Sequence, residues 1–175
     1  MKRKILIFSV ILFATSAVFI SCNKDNNQGT STLNVRLTDN PAAYEEVNVD
    51  VREVRVKFSD DSLSNDGWVT LTTFPGIYNL LALQNGVDTL LGTGAFPLQT
   101  VKEIRFILGP NNTIKDAGVV YPLTIPSGSE SGLKIKINKK LNATLETIII
   151  DFDAALSVKK EGTGDYKLRP VLKIK

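Results

Sequence analysis

Residues 47–58, with the sequence VNVDVREVRVKF, decide the fold class because apolar side chains recur at every second position. These apolar residues occupy odd positions up to Val51 and even positions from Val54 onward. A period of two is typical of a β-strand with one buried face. The change of phase at Arg52–Glu53 would turn the second half of the strand outward unless a β-bulge restores the face. The segment therefore predicts one long strand with a bulge at these two residues.

The same alternation recurs along the rest of the chain, and no helical period is sustained. Residues 77–83, IYNLLAL, are ambiguous between a short helix and a strand, and Asn85-Gly86 after them predicts a tight turn. The apolar run in TLETIIIDF predicts a central strand covered on both sides, and Pro170 predicts an edge strand. Strand patterns are present at LNVRL (33–37), WVTLTTF (68–74), VKEIRFILG (101–109), LKIKI (133–137), TLETIIIDF (144–152) and YKLRPVLKI (166–174). Short strands separated by turns predict an all-β fold, a single β-sandwich of the immunoglobulin-like or prealbumin-like type.

The first 21 residues have the layout of a secretory signal peptide. Lys2, Arg3 and Lys4 precede the apolar residues 5–20, and the segment ends in the small residue Ser21. The apolar run is shorter than the roughly 20 residues that a membrane-spanning helix needs. Residues 1–21 are therefore predicted to be a signal peptide, and a membrane-spanning anchor is the alternative.

Cys22 is the only cysteine of the 175 residues, so an intramolecular disulfide is excluded. Ser21-Cys22 matches the end of a bacterial lipobox, although Phe19 stands where that motif usually has leucine. A buried structural thiol is the alternative, but no strand pattern is close enough to supply a core. We expect lipidation at Cys22 with palmitate-type acyl chains as the membrane anchor. Residues 22–32 are then a lipidated cysteine and a flexible polar tether, and residues 33–175 form the β-sandwich domain.

The charge and the residue types exclude several classes of function. The predicted signal peptide contains three of the 21 Lys and Arg residues and no acidic residue, so 18 residues of each sign remain after cleavage. A neutral mature chain lacks the basic footprint of a nucleic-acid-binding protein. The chain has no histidine, which excludes Ser-His and Cys-His catalysis and any metal site built on imidazole. Its single cysteine excludes a metal site built on several thiolates. We expect a protein without enzymatic activity or cofactor.

Three aspartates are the weak candidates for a binding site. Asp151 and Asp153 lie two residues apart, so on a strand they point to the same side. Together with Asp39 they offer oxygen ligands for Ca²⁺ or for sugar hydroxyls. The favoured alternative is structural, with the carboxylates accepting hydrogen bonds from neighbouring loops or marking the solvated end of a strand. A carboxylate-based hydrolase is the less favoured reading, and it requires that the aspartates line a cleft.

Two further groups of side chains have both a binding and a structural interpretation. A cluster of lysines follows the loop at residues 126–132 and would suit an anionic glycan or headgroup, but lysines on an edge strand also prevent aggregation. The large aromatic residues would stack on sugar rings if exposed, but core packing is the default. The lysines are Lys134, Lys136, Lys139 and Lys140, and the aromatics are Trp68, Tyr78, Tyr121 and Tyr166.

The chain resembles a known bacterial family over residues 33–174. The segments that carry the resemblance are LNVRLTDNPAAYEEVNVDVREVRV, YNLLALQNG, EIRFILGPNN, YPLTIPSGSESGLKI, DFDAALSV and YKLRPVLKI, together with Trp68. They are similar to a bacterial lipoprotein domain catalogued as domain of unknown function 4382. The resemblance implies an exported, lipid-anchored, β-rich domain, and it implies no particular activity.

These observations predict a non-catalytic lipoprotein of the bacterial cell envelope. Lys24-Asp25 after the cysteine indicates the outer membrane, with the domain facing the periplasm or the cell surface. The predicted partners are the membrane, through the acyl chains, and a glycan or an envelope protein. The alternative is a subunit of a surface assembly joined by β-strand augmentation. An open groove beside the last segment, YKLRPVLKIK, would favour that alternative, whereas a segment that completes its own sheet would make the domain self-sufficient.

Overall fold

The computed structural model describes residues 29–59, 66–126, 132–162 and 164–175. The predicted signal peptide, Cys22 and most of the predicted tether lie outside the described residues. Within the described part, no helix has the length and apolar character needed to cross a membrane. The elements are β1 Thr30–Thr38, β2 Glu46–Lys57, β3 Trp68–Thr70, β4 Thr72–Thr73, β5 Gly76–Asn79, a 3₁₀ helix Leu80–Leu83, β6 Thr89–Pro97, β7 Thr100–Leu108, β8 Thr113–Asp116, β9 Val119–Thr124, β10 Leu133–Lys140, β11 Leu145–Phe152, α1 Ala154–Ser157, β12 Val158–Glu161, β13 Asp165–Leu168 and β14 Leu172–Ile174.

The strands form two sheets that enclose one core, as in a β-sandwich. The smaller sheet has the strand order β14-β11-β1-β6-β4. The larger sheet follows the path β10-β7-β2-β8-β9-β13-β12, and β3 and β5 also pair with β2. Buried side chains of both sheets form the core, among them Leu33, Val35, Ile148 and Ile150 from the smaller sheet and Val49, Val54, Ile104 and Phe106 from the larger. The predicted all-β sandwich is confirmed.

The predicted β-bulge in β2 is confirmed. Val51 pairs with Leu108 of β7 and Glu53 pairs with Ile107, so Arg52 is the additional residue. Arg52 is exposed, while the valines on both sides of the bulge are buried. The extra residue restores the inward face after the change of phase. A strand of 12 residues therefore keeps one apolar face against the core.

Residues 77–83 contain both of the structures that the sequence left open. Ile77–Asn79 end β5, and the 3₁₀ helix follows directly. The Asn79 side chain accepts a hydrogen bond from the Leu81 N–H at 3.1 Å and thereby caps this helix. Asn85 and Gly86 both have positive φ, 59° and 87°, so the predicted tight turn is also present.

The chain after Asp165 contains two strands in two different sheets. Tyr166 and Leu168 lie in β13 of the larger sheet, while Leu172 lies in β14 at the edge of the smaller sheet. Pro170 lies between them, at the crossing. The prediction of a single terminal edge strand is wrong. The chain passes from one sheet to the other without changing the phase of its apolar alternation, so two strands look like one in the sequence. The predicted edge is correct for β14, and β14 completes the smaller sheet.

The domain begins earlier than predicted. β1 starts at Thr30, whereas the sequence predicts that the polar residues before Leu33 belong to the tether. Thr30 pairs with Pro97 of β6, and Thr32 pairs with both Ala95 of β6 and Leu145 of β11. The β-branched threonines suit a strand even without an apolar alternation.

β11 is central in the smaller sheet, as predicted, with β1 on one side and β14 on the other. Its second half is covered on both faces, since Ile150, Asp151 and Phe152 are all buried. Its first half is partly open, and Leu145 is 57% exposed. The predicted double-sided burial therefore holds only for the second half.

β7 and β8 lie along the same edge of β2. Asn48 of β2 pairs with both β5 and β8, and Val51 pairs with both β5 and β7. A strand residue can pair with one strand on each side, and β5 occupies one side of β2. β7 and β8 must therefore both lie on the other side of β2. β10 pairs with β7 and β9 pairs with β8. β9 and β10 therefore lie end to end on the outer side of β8 and β7. We call such a position in the order of strands a row, so β9 and β10 occupy the same row of the larger sheet.

A buried aspartate fixes the junction between β7 and β8. The Asp50 carboxylate accepts hydrogen bonds from Arg52 Nη2 at 2.7 Å and from the Asn111 N–H at 3.2 Å. The Asp50 N–H donates to Asn112 Oδ1 at 2.8 Å, and its carbonyl accepts from the Gly109 N–H at 2.7 Å. These bonds satisfy the backbone of the turn and keep β7 and β8 in line.

Candidate functional site

The structure brings together the three aspartates that the sequence singled out. β1 and β11 pair in parallel, with Thr38 beside Asp151, so the C-terminal ends of both strands lie side by side at one end of the sheet. Asp39 follows β1 directly, and Asp153 follows β11. All three carboxylates are buried, with exposures of 1% for Asp39 and 5% for Asp151 and Asp153.

Each of these carboxylates accepts hydrogen bonds from nearby chain segments. Asp39 Oδ1 accepts from the Ala154 N–H at 2.8 Å. Asp153 caps α1 by accepting from the Leu156 N–H at 3.0 Å, and it also accepts from Lys173 Nζ at 3.1 Å. These contacts are the structural role that the sequence favoured, because they hold the turn after β11 and the edge strand β14 in place.

Of the three carboxylates, that of Asp151 accepts the fewest hydrogen bonds. Its Oδ2 accepts a hydrogen bond from Asn40 Nδ2 at 2.6 Å, while its buried Oδ1 has no hydrogen-bond partner in the described part of the chain. No group of three or more Asp, Glu or Cys side chains is placed to hold a metal ion within the same residues. The geometry thus gives no support to a Ca²⁺ site on these aspartates.

The environments of the carboxylates shift their pKa values in opposite directions. Burial raises the pKa of Asp39, the Asp151 carboxylate adds to the rise, and hydrogen bonds from Ala154 and Gln84 only partly oppose it. Burial also pushes the pKa of Asp153 upward, but the Leu156 N–H and Lys173 outweigh it and leave that pKa below its usual value. The charged form is therefore favoured at Asp153 and disfavoured at Asp39.

Replacing Asp39 by asparagine is expected to make the protein increasingly more stable than wild type as the pH rises from about 4, the ordinary aspartate value. The folded state holds the Asp39 proton more tightly than the unfolded chain does, so this group lowers wild-type stability as the pH rises through the interval between the two pKa values. Asparagine keeps the oxygen that accepts from Ala154 and carries no charge. Urea unfolding over a pH series measures the difference.

Asp153→Asn is the matched control, because the pKa of Asp153 is shifted downward. The charged Asp153 stabilises the fold above the ordinary aspartate pKa, and this contribution is lost as the pH falls through the folded value. We expect Asp153→Asn to destabilise at neutral pH and to approach wild type in acid. A pH-independent effect of Asp39→Asn would contradict this assignment.

A groove of about 650 Å³ lies beside the first residues of β10. Leu133 and Ile135 of β10 form one wall, and Leu168, Val171 and Leu172, where the chain crosses from β13 to β14, form the other. A smaller hollow of about 190 Å³ follows along the same seam, lined by residues that include Ile137, Ile148 and Ile174. The open groove that would favour strand augmentation is therefore present, even though β14 completes its own sheet.

The groove is the continuation of the row that β13 occupies. β13 pairs with β9 in parallel, with Tyr166 beside Leu123, and the chain then leaves the sheet at Pro170. β10 shares the row of β9, but the only strand that pairs with it in the described ranges is β7. The outer edge of β10 consequently faces the groove, with no described strand hydrogen-bonded to it.

The edge of β10 carries positive charge, although Glu103 of β7 pairs with Lys136. Lys134 and Lys136 of β10 are exposed. Across the sheet, Arg105 of β7 pairs with both Lys134 of β10 and Arg55 of β2, which places three cations side by side on adjacent strands. Burial and the neighbouring Arg55 lower the pKa of Arg105. The sequence showed the lysines, but only the register of β2, β7 and β10 shows that the two arginines join them.

The comparison with protein families is decisive for classification. The family model described as Domain of unknown function (DUF4382) matches residues 30–170. The chain belongs to the DUF4382 family. The match includes the groove residues of β10 and β13 and all three aspartates. No curated protein and no solved structure matches the chain.

The aromatic side chains of this DUF4382 protein are used in packing. The Arg105 guanidinium lies 4.1 Å from the Trp68 ring centroid, and the rings of Tyr121 and Tyr166 are 5.0 Å apart. The Tyr78 hydroxyl donates to the Phe74 carbonyl at 2.5 Å. None of these four rings lines the groove beside β10. The groove thus lacks the aromatic surface on which sugar rings usually stack.

Proposed function

We propose that this DUF4382 protein is a non-catalytic lipoprotein of the bacterial envelope that binds another envelope protein in the groove beside β10. The observation that carries the proposal is a groove with aliphatic side chains on both walls and a positively charged rim, beside an edge of β10 with which no described strand pairs. Apolar surface and free backbone groups are what a protein partner can cover at once.

A protein partner fits the groove better than a glycan does. Five of the groove residues are Ile125, Leu133, Ile135, Leu168 and Leu172, which are aliphatic. Glycan sites usually combine an aromatic platform with polar side chains, and the four aromatic side chains considered above pack elsewhere. The partner class is therefore an envelope protein.

The geometry of the carboxylates supports a role without catalysis. Asp39, Asp151 and Asp153 are almost completely buried, and none of them lines the groove. A carboxylate-based hydrolase needs two acids exposed on either side of a bound substrate. Here Asp39 and Asp153 instead accept hydrogen bonds from the backbone of α1.

The membrane anchor of the proposal is Cys22 with its acyl chains, at the outer membrane. A tether up to residue 29 would separate the anchor from β1 and let the groove reach partners near the membrane. Because the mature chain is formally neutral, the acyl chains rather than surface charge would hold it there.

Photo-crosslinking in intact cells tests the proposal. We expect Lys134→p-benzoylphenylalanine to give a discrete crosslinked product, because position 134 lies on the rim of the groove. The matched control is Thr70→p-benzoylphenylalanine, since Thr70 is also exposed but lies in β3, on the edge of β2 opposite β7 and β10. Crosslinking efficiency is measured by immunoblot of membrane fractions.

A second substitution ties the product to the groove. Val171→Asp places a charge on the apolar wall, and we expect it to reduce the position-134 product by about tenfold, because burying an unpaired charge is costly. The folded state of this variant is checked by its unfolding midpoint. Equal products from positions 134 and 70, or a product that is insensitive to Val171→Asp, would contradict the proposal.

A further inference from the structure

We infer that the occupant of the groove is an extended acidic segment of the partner protein, which adds to β10 as a new strand. The inference rests on the proposed function and specifies how the partner is recognised. Three observations carry it. They are a strand row beside β10 that no described strand fills, the length of the β10 edge that borders this row, and the charges along that edge.

The row beside β10, which no described strand fills, is the continuation of the row of β13 beyond Pro170. β13 already occupies this row beside β9, and it leaves the row at Pro170. The groove begins where β13 ends and runs along Leu133–Ile135. Adjacent strands lie about 4.8 Å apart, so an incoming strand beside β10 would be the continuation of β13 in the same sheet. Such a strand satisfies the backbone groups on the edge of β10 and covers the apolar wall.

The free edge is short because a bulge ends it. The pairing of β10 with β7 shifts between Lys136 and Lys139, and Asn138 has a φ of 53°. A bulge twists the edge and interrupts regular pairing. The partner strand therefore pairs with Leu133–Lys136. Its apolar side chains, at every second position, would lie beside Leu133 and Ile135 and enter the groove.

The charges on the edge select the partner. Lys134 and Lys136 alternate with the apolar residues, so a partner strand would place its other side chains directly beside two lysines. Glutamate or aspartate at those positions is favourable, and lysine is not. A second copy of β10 would bring lysines against lysines and is disfavoured for this reason. The chain's own tether, residues 23–29, has no large apolar side chain to fill the groove.

Two blocked peptides of opposite charge test the inference on the full chain in detergent micelles. The probes are Glu-Val-Glu-Val-Glu-Val and Lys-Val-Lys-Val-Lys-Val, each with a fluorescent label. We expect the acidic peptide to bind at least about tenfold more tightly in anisotropy titrations, from the sum of several cross-strand charge pairs. Hydrogen exchange is expected to slow at the amides of Leu133–Lys136 when the acidic peptide is bound.

The double variant Lys134→Glu with Lys136→Glu provides a control that misfolding cannot imitate. We expect it to reverse the preference, so that the basic peptide binds more tightly. Equal binding of both peptides, an unchanged preference in the double variant, or unchanged exchange in β10 would overturn the inference. A groove-specific crosslink at position 134 combined with any of these results would leave the proposed function standing. The expected peptide results without a crosslink in cells would instead count against the proposed function alone.

Discussion

Cys22→Ser is expected to move the protein from the membrane fraction of cells to the soluble fraction. Serine cannot receive the thioether-linked lipid that forms the proposed anchor. Each acyl methylene contributes about 0.8 kcal/mol to membrane partitioning, and two chains together make the attachment effectively stable. Loss of the chains therefore changes the membrane-bound share from nearly all of the protein to nearly none. Fractionation with an immunoblot measures this share, and mass spectrometry of the N-terminal peptide of the wild type measures the acyl mass.

Ser21→Ala is the matched control for this substitution. Alanine is another small residue before the cysteine, so processing and membrane attachment should be unchanged. A wild-type protein that kept residues 1–21 and carried no acyl chain would support the membrane-spanning alternative. A bare thiol on the wild-type protein would remove the predicted anchor.

The features that the sequence predicts well are those encoded by neighbouring residues. The alternation in residues 47–58 specifies both the strand β2 and its bulge, because a change of phase has only one solution that keeps the valines inside. The turn at Asn85-Gly86 follows from the residues that tolerate positive φ. These structures depend on side chains within a few positions of each other.

The features that the sequence does not predict depend on pairing between distant segments. Asp39 approaches Asp151 because β1 and β11 pair in parallel, and nothing near either residue specifies that partner. The alignment of Arg55, Arg105 and Lys134 side by side likewise depends on the registers of β2, β7 and β10. The groove arises because β13 leaves its row at Pro170 while β10 continues the row of β9. A local pattern identifies a strand, but it does not identify the strand's neighbours.

The crossing at Pro170 shows how a regular pattern can hide a change of sheet. Tyr166, Leu168, Leu172 and Ile174 share one phase, although the first two belong to the larger sheet and the last two to the smaller. The signal for the crossing was the proline, which has no N–H for a ladder hydrogen bond. A proline is compatible both with an edge strand and with a break between two strands, and here it separates β13 from the edge strand β14.

Gly132→Ala is expected to destabilise the domain by about 2–4 kcal/mol, the sum of a backbone cost and a steric cost. Gly132 has a φ of +82°, which L-residues with a Cβ adopt only at a cost. A Cβ added there would lie 2.6 Å from Ile107 Cδ1 and 2.8 Å from the Phe106 carbonyl oxygen. The carbonyl belongs to β7, which pairs with β10 at this point, so it cannot move without disturbing the sheet. The urea midpoint of unfolding measures the loss.

Gly118→Ala separates the two costs. Gly118 has a similar φ of +77°, but an added Cβ would meet no atom within 4 Å. Only the backbone cost applies there, so we expect a loss of about 1–2 kcal/mol. The excess for Gly132→Ala then measures how tightly the start of β10 is held against β7. Equal losses for the two variants would mean that this end of β10 moves away freely, and a mobile edge would not present the ordered strand that an incoming partner needs.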